Sequence, residues 1–345
     1  MKVAVVGATG YSGAELVRLL HNHPRVSIHS IHASSMFGKR LASSYPHMES
    51  FIEHTLEEAD IDTLAKEVDL VFTATPNGVA RKLAPMLLNK GLKVIDLSGD
   101  FRIKDRQVYE AWYGLEATEQ SLLDQAVYGL TEWNEETLKG ASLVANPGCF
   151  PTGVLLGLLP LVKENIIDES SIIIDAKTGV SGAGKGLSQA THYAETNDNF
   201  KIYKANEHQH TPEIEQGLRL YNNRIEAVTF SPHLAPMTRG ILATMYATAT
   251  KEITTAKLYE LYSEQYKDNF FIRIHKKGTF PATKEVYSSN FCDIGMTYDE
   301  RTNRITIVTA IDNLVKGAAG QAVQNMNLLF GFKETTGLQL MPIYP

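Results

Sequence analysis

"MKVAVVGATGYSGAELVRLL", residues 1–20, decides the reading of the fold. Lys2 to Val6 is a short apolar run suited to a buried strand, and Leu16, Val17, Leu19 and Leu20 give the following segment an apolar helical face. Between them Gly7, Gly10 and Gly13 are spaced G-x-x-G-x-x-G. Strand, glycine turn and helix in that order let backbone approach a ligand closely, while the free N–H groups at the helix start face a pyrophosphate. Thr9, Tyr11 and Ser12 belong to the same turn and join it as candidate cofactor contacts. The spacing alone also fits an ordinary tight turn, so the surrounding pattern has to carry the inference.

A second apolar strand, "RVSIHSIHAS", follows a break at Pro24. A site for NAD would place Asp or Glu near its end, about 20 residues beyond the glycines. None stands there. Ser34 and Ser35 precede Lys39 and Arg40 instead, hydroxyls and cations that suit a ribose 2′-phosphate and predict NADP(H); a solvated loop with two surface cations is the plain alternative. Strands are also expected at Leu70 to Ala74, Lys93 to Asp96 and Leu143 to Ala145, alternating with helical or polar segments, which implies an α/β fold with a parallel doubly wound sheet. After the third strand, Pro76 and Asn77 of "TATPNGVA" are expected to open a helix, and Pro76 to touch the cofactor.

The fifth strand runs into "NPGCFPTG", which places Cys149 between a strand and the apolar helix "TGVLLGLLPLV". A thiol at a helix N-terminus meets the positive end of the dipole, which favours thiolate. Gly148 permits a sharp turn, Pro151 is tolerated in a first helical turn, and backbone N–H groups with the Asn146 amide are candidates to hold an oxyanion. Cys149 is therefore the candidate nucleophile, whereas Cys292 in "SSNFCDIGM" reads as a small buried hydrophobe. "NEHQHTPEIEQGL" supplies an acid or base: Thr211 is expected to cap a helix, Pro212 to take its first position, and His208 and His210 to precede it. His-x-His is also half a metal site, but no third ligand has recognisable spacing and no metal is expected. "GVSGAGKG" at 179–186 has Gly186 where a phosphate-loop enzyme needs Ser or Thr, so it reads as a flexible substrate-side or nicotinamide-side loop.

Composition narrows the partners. The 345 residues suggest two domains, and 43% hydrophobic residues suffice for substantial cores. A net charge of -6 without a basic block excludes neither solubility nor small anionic ligands, but gives no footing for nucleic acid or an anionic membrane. Two cysteines form no disulfide framework, which fits reduced thiols in the cytoplasm. The second half reads as a mixed α/β domain, with strands expected near Ser171 to Ala176, Ile225 to Phe230, Gly240 to Thr250 and Arg304 to Ala310. A helix is expected near Ala256 to Lys267, and another enters after Asp312 and stops near Gly331.

Together "GATGYSGAEL", "NPGCFPT", "HQHTPEI", "SPHLAPMTRGI" and "AIDNLVKGAAGQAVQNMN" resemble the N-acetyl-γ-glutamyl-phosphate reductase family of arginine biosynthesis, in order along the whole chain. The resemblance implies a Rossmann NADP-binding domain of residues 1–148 with 313–345, and a catalytic and oligomerisation domain of 149–312 related to glyceraldehyde-phosphate and aspartate-semialdehyde dehydrogenases. It also implies a homodimer or homotetramer and a small-molecule acyl-phosphate substrate, reduced through a Cys149 thioester. Cys149 is then the nucleophile, His208 the acid/base, and Asn146, His210 and Arg239 substrate contacts. Ser181 and Gly182 would bind the cofactor near the reaction site, and Asn313 would bind it by the nicotinamide. The alternatives are an aspartate-semialdehyde dehydrogenase-like reductase and a non-catalytic NADP-binding sensor.

Overall fold

The opening apolar run forms the centre of a sheet. In the computed structural model, which describes residues 1–344, β1 (Lys2–Val6) is joined by β2 (Ser27–His32), β3 (Leu56–Glu57), β4 (Leu70–Thr73), β5 (Lys93–Asp96), β6 (Val127–Tyr128) and β7 (Leu143–Ala145). The seven strands run in the order β3-β2-β1-β4-β5-β7-β6, every pair parallel. Val3, Val5, Val71, Phe72, Val94 and Ile95 have no exposed surface, the continuous apolar content that a doubly covered parallel sheet demands. The chain order reverses between β1 and β4, so the carboxyl ends of these strands open a crevice there.

This sheet belongs to a unit of Met1–Pro147 and Ala318–Gln339; Gly148–Gly317 and residues 340–344 form a second. Residues 313–317 and the tail therefore differ from the expected grouping with the first unit. The physical reason is local: Gly317 N–H bonds the Asp312 carbonyl at 2.9 Å, and Ile343 N–H bonds the Tyr287 carbonyl at 3.0 Å. Within the first unit, the helix Gly320–Leu329 carries Gln321, Gln324, Asn325 and Asn327 fully buried. Such amides are tolerated because they are paired: Gln321 and Asn325 both donate to the Gly129 carbonyl, at 2.9 and 2.8 Å, and Asn327 to the carbonyls of Glu334 and Thr336.

The second unit is built on a mixed sheet: β8 (Ile173–Thr178), β9 (Lys201–Ile202), β10 (Thr229–Leu234), β11 (Ile241–Thr248), β12 (Ile272–Ile274), β13 (Cys292–Asp299) and β14 (Arg304–Ile311). Their order is β12-β13-β14-β11-β8-β10-β9. β10 begins at Thr229, later than the expected Ile225 to Phe230. The earlier residues form a turn whose Ile225 carbonyl takes the Arg219 Nε, and Pro232 is accommodated because β9 pairs only with His233 and Leu234. Along β11 buried and half-buried residues alternate strictly. The buried set meets the helix Cys149–Lys163: a side chain on Gly157 would lie 2.6 Å from the Met245 Cε.

That helix contains Pro160, which has no N–H to give the Leu156 carbonyl one turn back. The Tyr266 hydroxyl donates to the Leu156 carbonyl at 2.6 Å instead. Tyr262 donates in the same way to the next carbonyl, of Gly157. Both tyrosines come from the helix Thr255–Gln265 and its C-terminal cap, near the expected Ala256 to Lys267. Among the described residues no helix is long and apolar enough to cross a membrane.

Candidate active site

The first unit gathers its candidate cofactor residues where β1, β2 and β4 end. Gly7 has φ +92°, and a Cβ there would lie 2.2 Å from the Ala74 carbonyl oxygen. Gly13, inside the first turn of the helix Tyr11–His21, would place a Cβ 2.2 Å from the Gly7 carbonyl oxygen. Both glycines are therefore required by backbone packed against backbone. Gly10 is the helix cap, extended and without a side-chain capping bond, so the first-turn N–H groups face outward from a cradle built of main chain. Such a cradle fits a pyrophosphate, and these residues suit a dinucleotide. The Thr9 carbonyl accepts the Tyr45 hydroxyl at 3.0 Å, while Tyr11 and Ser12 stand exposed and half-buried on the helix start.

After β2, Ser34, Ser35 and Lys39 are exposed. Arg40 behaves otherwise: its guanidinium pairs with the Glu49 carboxylate and donates to the Glu49 carbonyl, so its charge is already matched from a neighbouring turn. Pro76 is exposed on the turn after β4, but the helix there starts at Ala80 rather than at Pro76. Gly78 has φ +88°, outside helical geometry, and the buried Asp100 accepts Gly78 N–H at 2.7 Å and Arg81 N–H at 3.0 Å, capping the helix from a distant loop.

Asn146 is tied into the core of the first unit. It is fully buried, its Nδ2 donating to the Ala318 carbonyl at 3.1 Å and its Oδ1 accepting Asn325 Nδ2 at 3.0 Å. The Oδ1 and one of the two Nδ2 N–H groups thus serve the core of the first unit.

In the second unit Cys149 opens the helix Cys149–Lys163, with Gly148 as its extended cap, and is half-buried. Gly148 N–H donates to Glu213 Oε1 at 2.8 Å. A Cβ on Gly148 would lie 2.5 Å from His210 Nε2 and 2.9 Å from Glu213 Oε2, so both side chains converge on the residue before the thiol. Glu213 is 1% exposed and was not singled out by the motif. The available signal was its place in "HTPEI", a carboxylate among residues 211–214, all of which are buried.

The two histidines differ. The helix begins at His210, one residue before the expected Thr211 cap, because the His208 imidazole does the capping: its Nδ1 accepts His210 N–H at 3.1 Å. The neutral ring then keeps its proton on Nε2, 3.4 Å from the Tyr203 hydroxyl. His208 is 7% exposed, edge-on to Phe150 and Phe230, with centroids 5.4 and 5.5 Å away. Burial, helped by the nearby Lys204 charge, pushes its pKa down to about 4. A ring so held is neutral at pH 7. Tyr203 also faces this group; burial, then the neighbouring Cys149, raises its phenol well above the usual range.

The glycine loop is less free than expected at its start. Gly179, Val180 and Ser181 N–H groups bond the carbonyls of Gly240, Met237 and Thr238 at 2.9 to 3.1 Å, pinning Ser181 in the interior while Gly182 stays exposed. Asn313 is buried too: its Oδ1 accepts Gly240 N–H at 2.8 Å and its Nδ2 donates to Ser181 Oγ at 3.0 Å. Its Oδ1 and one Nδ2 N–H therefore tie the loops together. Arg239 lies between these loops, its Nη1 3.3 Å from Asp312 Oδ2.

Two family models match: semialdehyde dehydrogenase, NAD binding domain, over residues 2–141, and semialdehyde dehydrogenase, dimerisation domain, over 149–313. N-acetyl-gamma-glutamyl-phosphate reductases from Geobacillus sp. (strain WCH70), Geobacillus kaustophilus and Bacillus cytotoxicus are 57%, 58% and 56% identical over 345 residues, covering 100% of both chains. The chain belongs to the N-acetyl-γ-glutamyl-phosphate reductase family. That family membership gives the two units their functional sense: the first is a nicotinamide-dinucleotide-binding domain, the second a dimerisation domain that carries the thiol. In solved structures the fold recurs in aspartate semialdehyde dehydrogenase II from Vibrio cholerae, complexed with ASA, at 19% identity and TM-score 0.71, covering 96% of this chain and 98% of that one. It recurs also in aspartate semialdehyde dehydrogenase with NADP from Candida albicans, at 17% identity and TM-score 0.67, covering 95% and 98%.

Proposed function

We propose that this member of the N-acetyl-γ-glutamyl-phosphate reductase family reduces N-acetyl-L-glutamyl 5-phosphate to the 5-semialdehyde, with Cys149 as nucleophile and NADPH as reductant, in arginine biosynthesis. The observation that carries the reading is Cys149 at a helix start, beside a glycine whose empty Cβ position is faced by His210 and Glu213. The helix dipole favours the thiolate, and a thiolate combines strong nucleophilicity with good leaving ability. Its attack on the acyl carbon expels phosphate and forms a thioester. Bound NADPH supplies the hydride. Once that carbonyl has been reduced, collapse expels the Cys149 thiolate and frees the aldehyde. In this reading His210, whose Nε2 faces the Gly148 Cβ position, moves a proton at the reacting oxygen, and His208 holds the start of its helix.

Glu213 clamps the Gly148 amide and stands beside His210, so it keeps thiol and imidazole in register. Arg239 is the cation for the substrate's anionic end. Exposed Ser34, Ser35 and Lys39 support a preference for the 2′-phosphorylated dinucleotide, and Arg40 has a smaller part because Glu49 holds it. The dimerisation domain supports a homodimer or homotetramer, and the place of work read from the two reduced thiols is the cytoplasm.

The purified protein is expected to oxidise NADPH with N-acetyl-glutamyl phosphate and to respond only weakly to aspartyl phosphate. Cys149→Ser should bind the dinucleotide normally and lose turnover by roughly 10⁴-fold or more, within the range seen when a covalent nucleophile is removed. Equal use of both acyl phosphates would favour the aspartate-semialdehyde dehydrogenase-like alternative, and substantial turnover by the serine variant would refute the thioester route.

A further inference from the structure

Asp312 follows β14 and is fully buried. Its Oδ1 accepts Leu314 N–H at 2.8 Å and Val315 N–H at 3.1 Å, where the π-helical turn Val315–Ala319 begins. Its Oδ2 accepts Ser288 N–H at 2.7 Å and lies 3.3 Å from Arg239 Nη1. Ser288 has φ +60°, a conformation that non-glycine residues adopt only when held. The preceding Tyr287 puts its ring 5.8 Å from the Arg239 guanidinium carbon. The Asp312 carbonyl binds Gly317 N–H at 2.9 Å, and a Cβ on Gly317 would lie 2.8 Å from the Cys149 Cβ. One buried residue thus fixes a cation, the aromatic turn beside it, and the backbone against which the nucleophile rests.

A buried carboxylate is stable when matched by a cation and several N–H donors, and Asp312 has both. Three backbone donors immobilise it independently of Arg239, so it can act as a fixed post for the guanidinium. We infer that Asp312 is the positioning residue for Arg239, setting the orientation in which this cation meets the anionic end of the acyl-phosphate substrate. The inference rests on the substrate-binding role proposed for Arg239. It assigns the Asp312–Arg239 pair to substrate recognition, where a purely architectural ion pair would serve only the fold.

Steady-state kinetics on Asp312→Asn, Arg239→Ala, Arg239→Lys and the Asp312→Asn/Arg239→Ala double variant, each with its thermal midpoint, test it. Asp312→Asn and Arg239→Lys should each raise KM for the acyl phosphate about tenfold, with KM for NADPH within about twofold of the parent, the size expected for one misplaced charged hydrogen bond. In the Arg239→Ala background, Asp312→Asn should add less than about twofold, because its effect passes through the missing cation. A raised KM in Arg239→Ala together with an unchanged KM in Asp312→Asn would overturn the positioning role while leaving Arg239 as a substrate contact. So would full additivity in the double variant, or a lowered thermal midpoint with no change in KM. An unchanged KM in Arg239→Ala would overturn the role of Arg239 itself. If Asp312→Asn does not fold, Arg239→Lys decides: it keeps the charge and loses the fork, and a parental KM there would contradict the inference.

Discussion

Two glycine turns precede two helices in this chain, and they are built on opposite principles. At Gly7 and Gly13 the space a side chain would take is filled by main-chain atoms, 2.2 Å away in each case. At Gly148 it is filled by the working ends of His210 and Glu213. The first turn uses glycine to bring backbone onto backbone, leaving N–H groups exposed to any phosphate. The second uses glycine to admit side chains beside a thiol. The difference teaches that a glycine before a helix is informative only once its neighbours are known.

The sharpest way to break this comparison is to add one methyl group at each turn. Gly148→Ala should cost turnover about 10²-fold or more, since displacing catalytic groups by an ångström has that effect, and it should leave the melting temperature close to parental because side chains can move aside. Gly7→Ala should do the reverse in kind: φ +92° and a fixed carbonyl leave no room, so roughly 2 kcal/mol or more of stability is lost along with dinucleotide affinity. Measuring turnover, denaturant midpoint and dinucleotide binding on both variants checks the contrast. An active Gly148→Ala enzyme, or a fully stable Gly7→Ala one, would erase it.

A smaller effect concerns the base of the second turn. The His208 pKa is depressed to about 4, below its ordinary 6.5, so the unfolded chain takes up a proton in that interval that the folded chain does not. Stability should therefore fall as pH drops from about 6.5 to 4, by at most about 3 kcal/mol from this group. Urea midpoints across that range should show a flatter slope in His208→Gln. An unchanged slope would mean that the ring is not held neutral. The smallest effect lies one helical turn and more from the chemistry: Tyr266→Phe leaves the buried Leu156 carbonyl opposite Pro160 without its donor and should cost about 1–3 kcal/mol, with turnover unaltered. Loss of activity in that variant would tie the far part of the helix to the site.

What was legible in the chain was local. The Gly7 turn, the parallel sheet and Cys149 at a helix start each follow from residues a few positions apart, where spacing and propensity speak directly. What was not legible depends on partners far away in sequence. The tie of Asn146 to Ala318 and Asn325, and of Asn313 to Ser181 and Gly240, depends on such partners. The pairing of Arg40 with Glu49 across the surface is likewise set by the fold. Thr211 was a sound cap by propensity, yet the His208 imidazole already satisfied the first free N–H. Glu213 was hidden because a glutamate in a first helical turn reads as solvated, and only the fold shows it bonded to Gly148.

The central claim is that Cys149 carries the acyl group. Mixing the enzyme with N-acetyl-glutamyl phosphate in the absence of NADPH, quenching in acid and locating the modified peptide by mass spectrometry tests it most directly. The account predicts one N-acetylglutamyl group on Cys149, discharged to the semialdehyde when NADPH is added before the quench. An enzyme that turns over normally with Cys149 unmodified, or that carries the acyl group on another residue, would contradict it.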